Sequence, residues 1–267
     1  MLAIERRREI LSRLSANGKV IVAELAKDFG VTEETIRRDL EKLDKEGLVS
    51  KTYGGAVSKH SSALDLPYNI RESVNVEQKQ AIADVICELI TDGERILVDS
   101  SSTALYIIKK LKEKKNLTII TNSVKILLEL AEKHDWTVLS TGGVLKKNAL
   151  SLMGSSAEKM INSYHVDTAI CSCKGLDMTL GVTDSNENDS LIKQAMLVSA
   201  EKRILALDSD KFDKKSFVKV CKATGVDIIV TDSEPHEKWT RFCEENNIEL
   251  MYNKSFNDNF SERKQTT

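Results

Sequence analysis

The segment from Val20 to Lys45 carries the feature that most constrains this chain: two short helical patterns separated by a single glycine. In the first, Val22, Leu25, Ala26 and Phe29 recur at spacings of three and four, the period of one helical face. Gly30 follows where a tight turn needs a residue without a side chain. In the second, Thr32 stands as an N-cap, Glu33 and Glu34 meet the positive end of the helix dipole, and Val31 is placed to staple onto Ile36. The buried stripe of this helix is Ile36, Leu40 and Leu43, which leaves Arg38 and Lys45 pointing away and Thr35, Arg37 and Lys42 on the flanks.

The flanking sequence completes a small domain. Upstream, Ile10, Leu11 and Leu14 repeat at helical spacing between Leu2 and Leu14, and Asn17-Gly18 ends the run as a C-cap. Downstream, Gly47 closes the helix and Leu48 to Tyr53 reads as extended before Gly54-Gly55, a wing. Two short helices across a glycine turn, the second with exposed Arg and Thr near its start, fit a recognition helix whose first turns enter the major groove of DNA. Thr32, Thr35, Arg37, Arg38 and Lys42 on the helix and Lys51 and Tyr53 on the wing are the candidate contacts to double-stranded operator DNA. Arginine can grip guanine bidentately or hold a phosphate, and the pattern leaves both open. A competing explanation is a three-helix protein-interaction module whose charges, Glu34 with Arg38 among them, pair on a solvated face.

Charge limits how such a domain can bind. The whole chain has a formal net charge of -2, which argues against non-specific capture of nucleic acid through bulk charge. Residues 1–57 hold eleven lysines and arginines against ten acids, a net of +1, so affinity has to come from locally placed side chains. No uninterrupted apolar stretch approaches the roughly 18 residues of a membrane span, and Arg6, Arg7 and Arg8 are not followed by the apolar run of a signal peptide. A cytoplasmic protein without membrane contact is expected. The five cysteines are scattered, and Cys171 and Cys173 are too close for the usual metal-ligand spacing, so reduced core thiols and no metal site are expected.

Residues 58–66 are short and polar without periodicity and read as a linker between a domain of residues 1–57 and a second of residues 67–255; residues 256–267 read as a disordered tail. A helical face of Ile82, Val85, Ile86 and Leu89 opens the second domain. After it, β-rich runs at 95–98, 117–120, 137–139, 168–171, 204–207 and 227–230 alternate with helical patterns at 103–111, 124–133 and 189–199. That alternation predicts an α/β fold with a parallel sheet covered on both faces.

Open α/β sheets bind ligands beyond the carboxyl ends of their strands, and polar residues gather at those positions here. Asp99, Ser100, Ser101, Ser102 and Thr103 follow the first strand and begin a helix, which offers hydroxyls, backbone N-H groups and a dipole to an anion such as phosphate. Asn122 and Ser123 follow the second strand, and Gly142 and Gly143 the third. Lys174 follows the strand at 168–171, Asp208 and Lys211 the strand at 204–207, and Asp189 and Lys193 lie one helical turn apart on the helix between. Each turn taken alone is also an ordinary N-cap or surface ion pair; their convergence at one sheet edge favours a ligand, and carboxylates with lysines suit a phosphorylated sugar.

Two stretches carry a family resemblance. Val31-Thr32-Glu33-Glu34-Thr35-Ile36-Arg37-Arg38-Asp39-Leu40, with Gly47-Leu48 and Thr52-Tyr53-Gly54-Gly55-Ala56, resembles the helix-turn-helix signature of the DeoR family of bacterial sugar-operon regulators. From Pro67 almost to Asp232 the chain resembles that family's sensor region, through Asp99 to Thr103, Thr121-Asn122-Ser123, Gly142-Gly143, Gly154, Gly181, Lys193 and Asp208 to Lys211. The family commonly has Arg and His where this chain has Lys51 and Tyr53, Gly at Ser101 and Glu at Asp189. The resemblance implies a winged helix-turn-helix domain joined to a larger α/β domain similar in fold to ribose 5-phosphate isomerase. It also implies a repressor of sugar metabolism whose effector is a phosphorylated sugar, with no cofactor. Two-fold operators make a homo-oligomer the expected state. The rival expectation is a sugar-phosphate isomerase with a DNA-binding appendage, Asp208 or Asp189 serving as general base.

Overall fold

The computed structural model describes residues 1–57 and 67–255; the expected linker and tail lie outside the described residues. The chain divides into two compact units, Met1–Asn75 and Val76–Thr267. The second unit therefore begins nine residues later than the sequence pattern suggested.

The first unit holds α1 (Ala3–Asn17), β1 (Lys19–Ile21), α2 (Val22–Phe29), α3 (Glu33–Lys45), β2 (Ser50–Thr52), β3 (Gly55–Val57) and α4 (Tyr68–Ser73). Gly18 ends α1 and Gly30 ends α2, both with φ in the left-handed region, at 72° and 63°. β1 is a strand that the apolar period had merged into α2; it pairs antiparallel with β3, which pairs with β2, giving the sheet order β1-β3-β2. Gly55 makes this closure possible, because a Cβ there would stand 2.1 Å from the Val20 carbonyl oxygen. Ile10, Leu11 and Leu14 of α1, Leu25 of α2 and Ile36, Leu40 and Leu43 of α3 are buried around one core. Each such side chain contributes about 1.5–3 kcal/mol by leaving water. Ile70 of α4 packs on the same core, and Ser12 of α1 bonds Asn75 at 3.0 Å, which explains why α4 falls with the first unit.

The second unit opens with α5 (Val76–Leu89), then β4 (Arg95–Val98), α6 (Ser102–Leu111), β5 (Thr118–Thr121), α7 (Val124–Glu129) and β6 (Thr137–Ser140). A hairpin of β7 (Val144–Lys146) and β8 (Ser151–Met153) leads through α8 (Ser155–Asn162) into β9 (Val166–Cys171). Next come β10 (Gly175–Asp177), β11 (Gly181–Asp184), α9 (Glu187–Val198), β12 (Ala200–Ala206) and β13 (Val218–Cys221). The unit closes with β14 (Ile228–Thr231), α10 (Glu237–Glu245) and β15 (Glu249–Tyr252).

Seven strands form one parallel sheet in the order β15-β14-β12-β9-β4-β5-β6. Ile96, Leu97, Val98, Ile119, Ile170, Ile204, Leu205 and Ile229 are fully buried, as strands covered on both faces require. β10, β11 and β13 make a separate antiparallel sheet. From β4 the chain advances through β5 and β6 toward one edge, and from β9 through β12, β14 and β15 toward the other. The direction of winding thus reverses between β4 and β9, and a crevice opens at the carboxyl ends of strands at such a switch point.

Candidate functional site

In α3, Thr32 caps the helix: its Oγ1 accepts from the Thr35 amide at 3.3 Å and lies 2.9 Å from the Thr35 hydroxyl. Ile36, Leu40 and Leu43 face the core, while Arg37, Arg38 and Lys42 are exposed on the opposite side. Arg37 donates through Nη2 to Glu33 at 2.6 Å and Arg38 through Nε to Glu34 at 3.1 Å. Lys45 pairs with Glu41 at 3.4 Å, so three successive ion pairs run along the solvent face. Exposed pairs of this kind are worth about 0.3–0.5 kcal/mol each, little enough for a DNA phosphate to displace. Lys51 is exposed in β2, and Tyr53 stands wholly in solvent in the turn before Gly54, the tip of the wing.

Asp39 is the residue of α3 that the apolar pattern passed over. It is buried and accepts from Nε of Arg6 in α1 at 2.5 Å. The signal was present: Asp39 lies three residues after Ile36 and four before Leu43, on the inner stripe, where a carboxylate requires a partner.

The second group of residues sits at the carboxyl edge of the parallel sheet. Asp99 follows β4 and is 1% exposed; its Oδ1 accepts from the Ser101 amide at 3.0 Å and its Oδ2 from the Ser172 amide at 2.9 Å. Ser172 follows β9, so Asp99 ties the two strands across the switch point. Ser101 caps α6 through its hydroxyl to the Ala104 amide at 3.0 Å, and Ser102 and Thr103 are buried in the first turn, with Ser100 half-buried before it.

Lys193 of α9 reaches the same point. Its ammonium is paired with Asp184 at the end of β11 and lies 3.4 Å from Asp99 Oδ2. Burial works against the Lys193 charge, but attraction to Asp184 and Asp99 outweighs it and raises the pKa. Burial likewise pushes the Asp184 carboxyl up, and Lys193 outweighs that, leaving it below the usual carboxylate value. Asp184 was not singled out in the sequence; it ends β11 in the separate antiparallel sheet. With two carboxylates already on it, the Lys193 ammonium holds the frame of the crevice. It is not a free cation for phosphate.

The remaining residues divide in the same way. Asp189 does not meet Lys193 in an ion pair; it pairs with Lys146 of β7 at 3.0 Å and bonds Asn186, the N-cap of α9. Ser123 spends its hydroxyl on capping α7, through the Ile126 amide at 3.3 Å. Asn122 donates to the Leu152 carbonyl at 3.0 Å, while its buried Oδ1 has no hydrogen-bond partner among the described residues. Gly142 and Gly143 have φ of 62° and 103°, and a Cβ on Gly143 would stand 2.6 Å from the Met153 carbonyl oxygen, so the close approach there is to the β8 backbone.

Lys174 follows β9, half-buried, and Asp208 follows β12, buried, with its Oδ1 unpartnered among the described residues. Lys211 closes the short turn after Asp208, its amide donating to the Asp208 carbonyl at 3.0 Å. Asp232, at the end of β14, accepts from the Ser209 amide at 2.6 Å and braces that turn; burial holds its pKa above the usual carboxylate value. Five adjacent strand ends, β12 through β6, therefore carry the candidate residues along an edge that spans about 19 Å. Cys173, beside Lys174, is buried and its thiol is pushed up to about 12, which leaves it unreactive. Among the described residues no group of three His, Cys, Asp or Glu is placed to hold a metal ion, and no helix is long and apolar enough to cross a membrane.

Comparison with known proteins assigns both units. The DeoR-like helix-turn-helix domain matches residues 6–62 and the DeoR C-terminal sensor domain residues 74–233. A Bacillus subtilis protein named as HTH-type transcriptional regulator YulB is 41% identical over 87% of this chain and 90% of its own length. The L-fucose operon activator of Haemophilus influenzae is 30% identical over 90% of this chain and 96% of its own. The HTH-type transcriptional repressor GlcR of B. subtilis is 30% identical over 92% and 95%. Among solved structures, a D-ribose-5-phosphate isomerase in complex with phospho-erythronic acid aligns at a TM-score of 0.39 and 19% identity, over 51% of this chain and 54% of that one. The relatives carry the names of regulators, and the chain is a DNA-binding regulator, not an isomerase. In its helix-turn-helix and its sensor region alike, it belongs to the DeoR family of transcription regulators.

Proposed function

We propose that the chain is a cytoplasmic repressor of a sugar-metabolism operon and that a phosphorylated sugar, bound at the carboxyl edge of the parallel sheet, controls its affinity for operator DNA. The observation that carries this reading is the switch point between β4 and β9, where Asp99, the first turn of α6, Lys174, Asp208 and Lys211 are gathered on one edge. The N-terminus of α6 supplies backbone N-H groups and a helix dipole for the phosphate. Lys174 and Lys211 supply point charges, and the unpartnered Oδ1 atoms of Asp208 and Asn122 supply acceptors for sugar hydroxyls. The names of two relatives, an L-fucose operon activator and a transcriptional repressor, support regulation linked to sugar metabolism here.

On the DNA side, Thr35, Arg37, Arg38 and Lys42 meet bases and phosphates, and Lys51 and Tyr53 hold the backbone beside them. A net charge of only +1 over residues 1–57 favours two copies acting together on a two-fold site, so the working state is a homo-oligomer. An effector that binds one conformation or assembly better than another shifts DNA affinity by its differential affinity alone.

A thermal-shift panel of phosphorylated sugars and their unphosphorylated parents tests the reading. A ligand that binds only the folded state raises stability by about 2.7 kcal/mol at a hundred times its Kd. The expected result is a shift by at least one phosphorylated sugar and none by its parent. No shift across the panel would remove the sugar-phosphate assignment.

A further inference from the structure

The ion pairs on α3 differ in which guanidinium nitrogen they use. Glu33 takes a terminal nitrogen of Arg37, Nη2, at 2.6 Å. Glu34 takes Nε of Arg38 at 3.1 Å, which leaves both terminal nitrogens of Arg38 uncommitted to it. Those two nitrogens form the fork that matches O6 and N7 of guanine. Resting on the reading that the solvent face of α3 meets DNA, we infer that Glu34 is a positioning residue that presents the terminal fork of Arg38 to a guanine.

In the free protein the Arg38–Glu34 pair is 77% and 62% exposed, and water screens it. In a groove the water leaves and the same pair strengthens, because the effective dielectric falls. A guanine edge carries no net charge, so an arginine bound to it still needs its carboxylate. A phosphate neutralises the arginine itself and repels the carboxylate beside it. Glu34 thereby favours base contact over phosphate contact, and it raises discrimination by disfavouring the non-specific mode. This fits a domain with a net charge of only +1.

The test is selection of bound duplexes from a pool with a randomised block, using the full chain as wild type, Arg38→Ala, Glu34→Gln and Glu41→Gln. Glu41→Gln removes the same charge from the same helix, beside Lys45, and serves as the electrostatic control. Arg38→Ala is expected to erase a guanine preference at one position of the half-site, by about tenfold or more. Glu34→Gln should relax that same position by roughly threefold to tenfold and raise affinity for random duplex, while Glu41→Gln raises affinity and leaves the preference intact. If Glu34→Gln and Glu41→Gln behave alike, or if Arg38→Ala changes no base preference, the inference is overturned. A wild-type chain that binds the pool but enriches no sequence would instead overturn the reading of α3 as the specific face.

Discussion

Arg6 in α1 and Asp39 in α3 form a buried pair, Nε to Oδ2 at 2.5 Å, with each side chain only 8% exposed. The recognition helix is thus pinned to α1 by a charge-assisted bond from the side opposite its solvent face, next to the contacts of Ile36, Leu40 and Leu43. Removing either partner alone leaves a buried charge without compensation, which costs about 3–5 kcal/mol. Arg6→Ala or Asp39→Ala should therefore cost the first unit a large share of its stability. Denaturant unfolding would show this, and the double change to Met and Leu should come close to wild type.

Gly55→Ala places a Cβ 2.1 Å from the Val20 carbonyl oxygen, a backbone atom that cannot swing aside. The contact between β1 and β3 must part, at about 1–3 kcal/mol or more. Thermal unfolding should fall accordingly. A neutral result would mean that β1 does not pair with the wing.

Lys193 sets an acid limb on the stability of the second unit. Asp184 has its pKa lowered from 3.8, so its contribution is present above that value and is lost as pH falls through the lower folded value. Lys193 has its pKa raised from 10.5, so its contribution is present below that value and is lost only as pH rises through the higher one. Stability from the pair is flat from mildly acid to mildly alkaline pH. Lys193→Met strands Asp184 and Asp99 and should lose about 3–5 kcal/mol at neutral pH. The gap to wild type should narrow as pH falls through the acid range, because burial without Lys193 holds the Asp184 carboxyl above its usual value and acid then neutralises it. A gap independent of pH would show that the loss is one of packing.

Lys42 and Lys51 make none of the described ion pairs and are free to neutralise phosphates. Each should account for about 0.9 in the slope of log affinity against log salt. Lys42→Ala and Lys51→Ala, measured against one duplex over a salt series, should each flatten that slope without changing which sequence is preferred.

Much of the first unit was legible because its cues are local. Gly18, Gly30, Thr32 and Gly47 punctuate helices within a few residues of the apolar stripes they end or begin. What escaped was long-range: the Arg6–Asp39 pair joins residues 33 apart, and β1 is three residues long, too short to show a period.

In the second unit the buried strands and their polar carboxyl ends were readable, since parallel strands are continuous apolar runs. The hairpin of β7 and β8 and the antiparallel sheet of β10, β11 and β13 were not, being strands of three or four residues whose pairing is set by distant partners. The same distance hid Asp184, whose role depends on the arrival of Lys193 from α9.

On the proposed reading, ligand binding at the β4–β9 switch point controls DNA binding by α3. The direct measurement is titration of a fluorescent duplex, drawn from the wild-type selected pool, with the full chain in the presence and absence of a sugar phosphate that shifts its thermal unfolding. A change in duplex affinity of at least about fivefold, corresponding to about 1 kcal/mol of coupling and reduced in Lys211→Ala, is the predicted result. Unchanged duplex affinity while the sugar phosphate is demonstrably bound would contradict it.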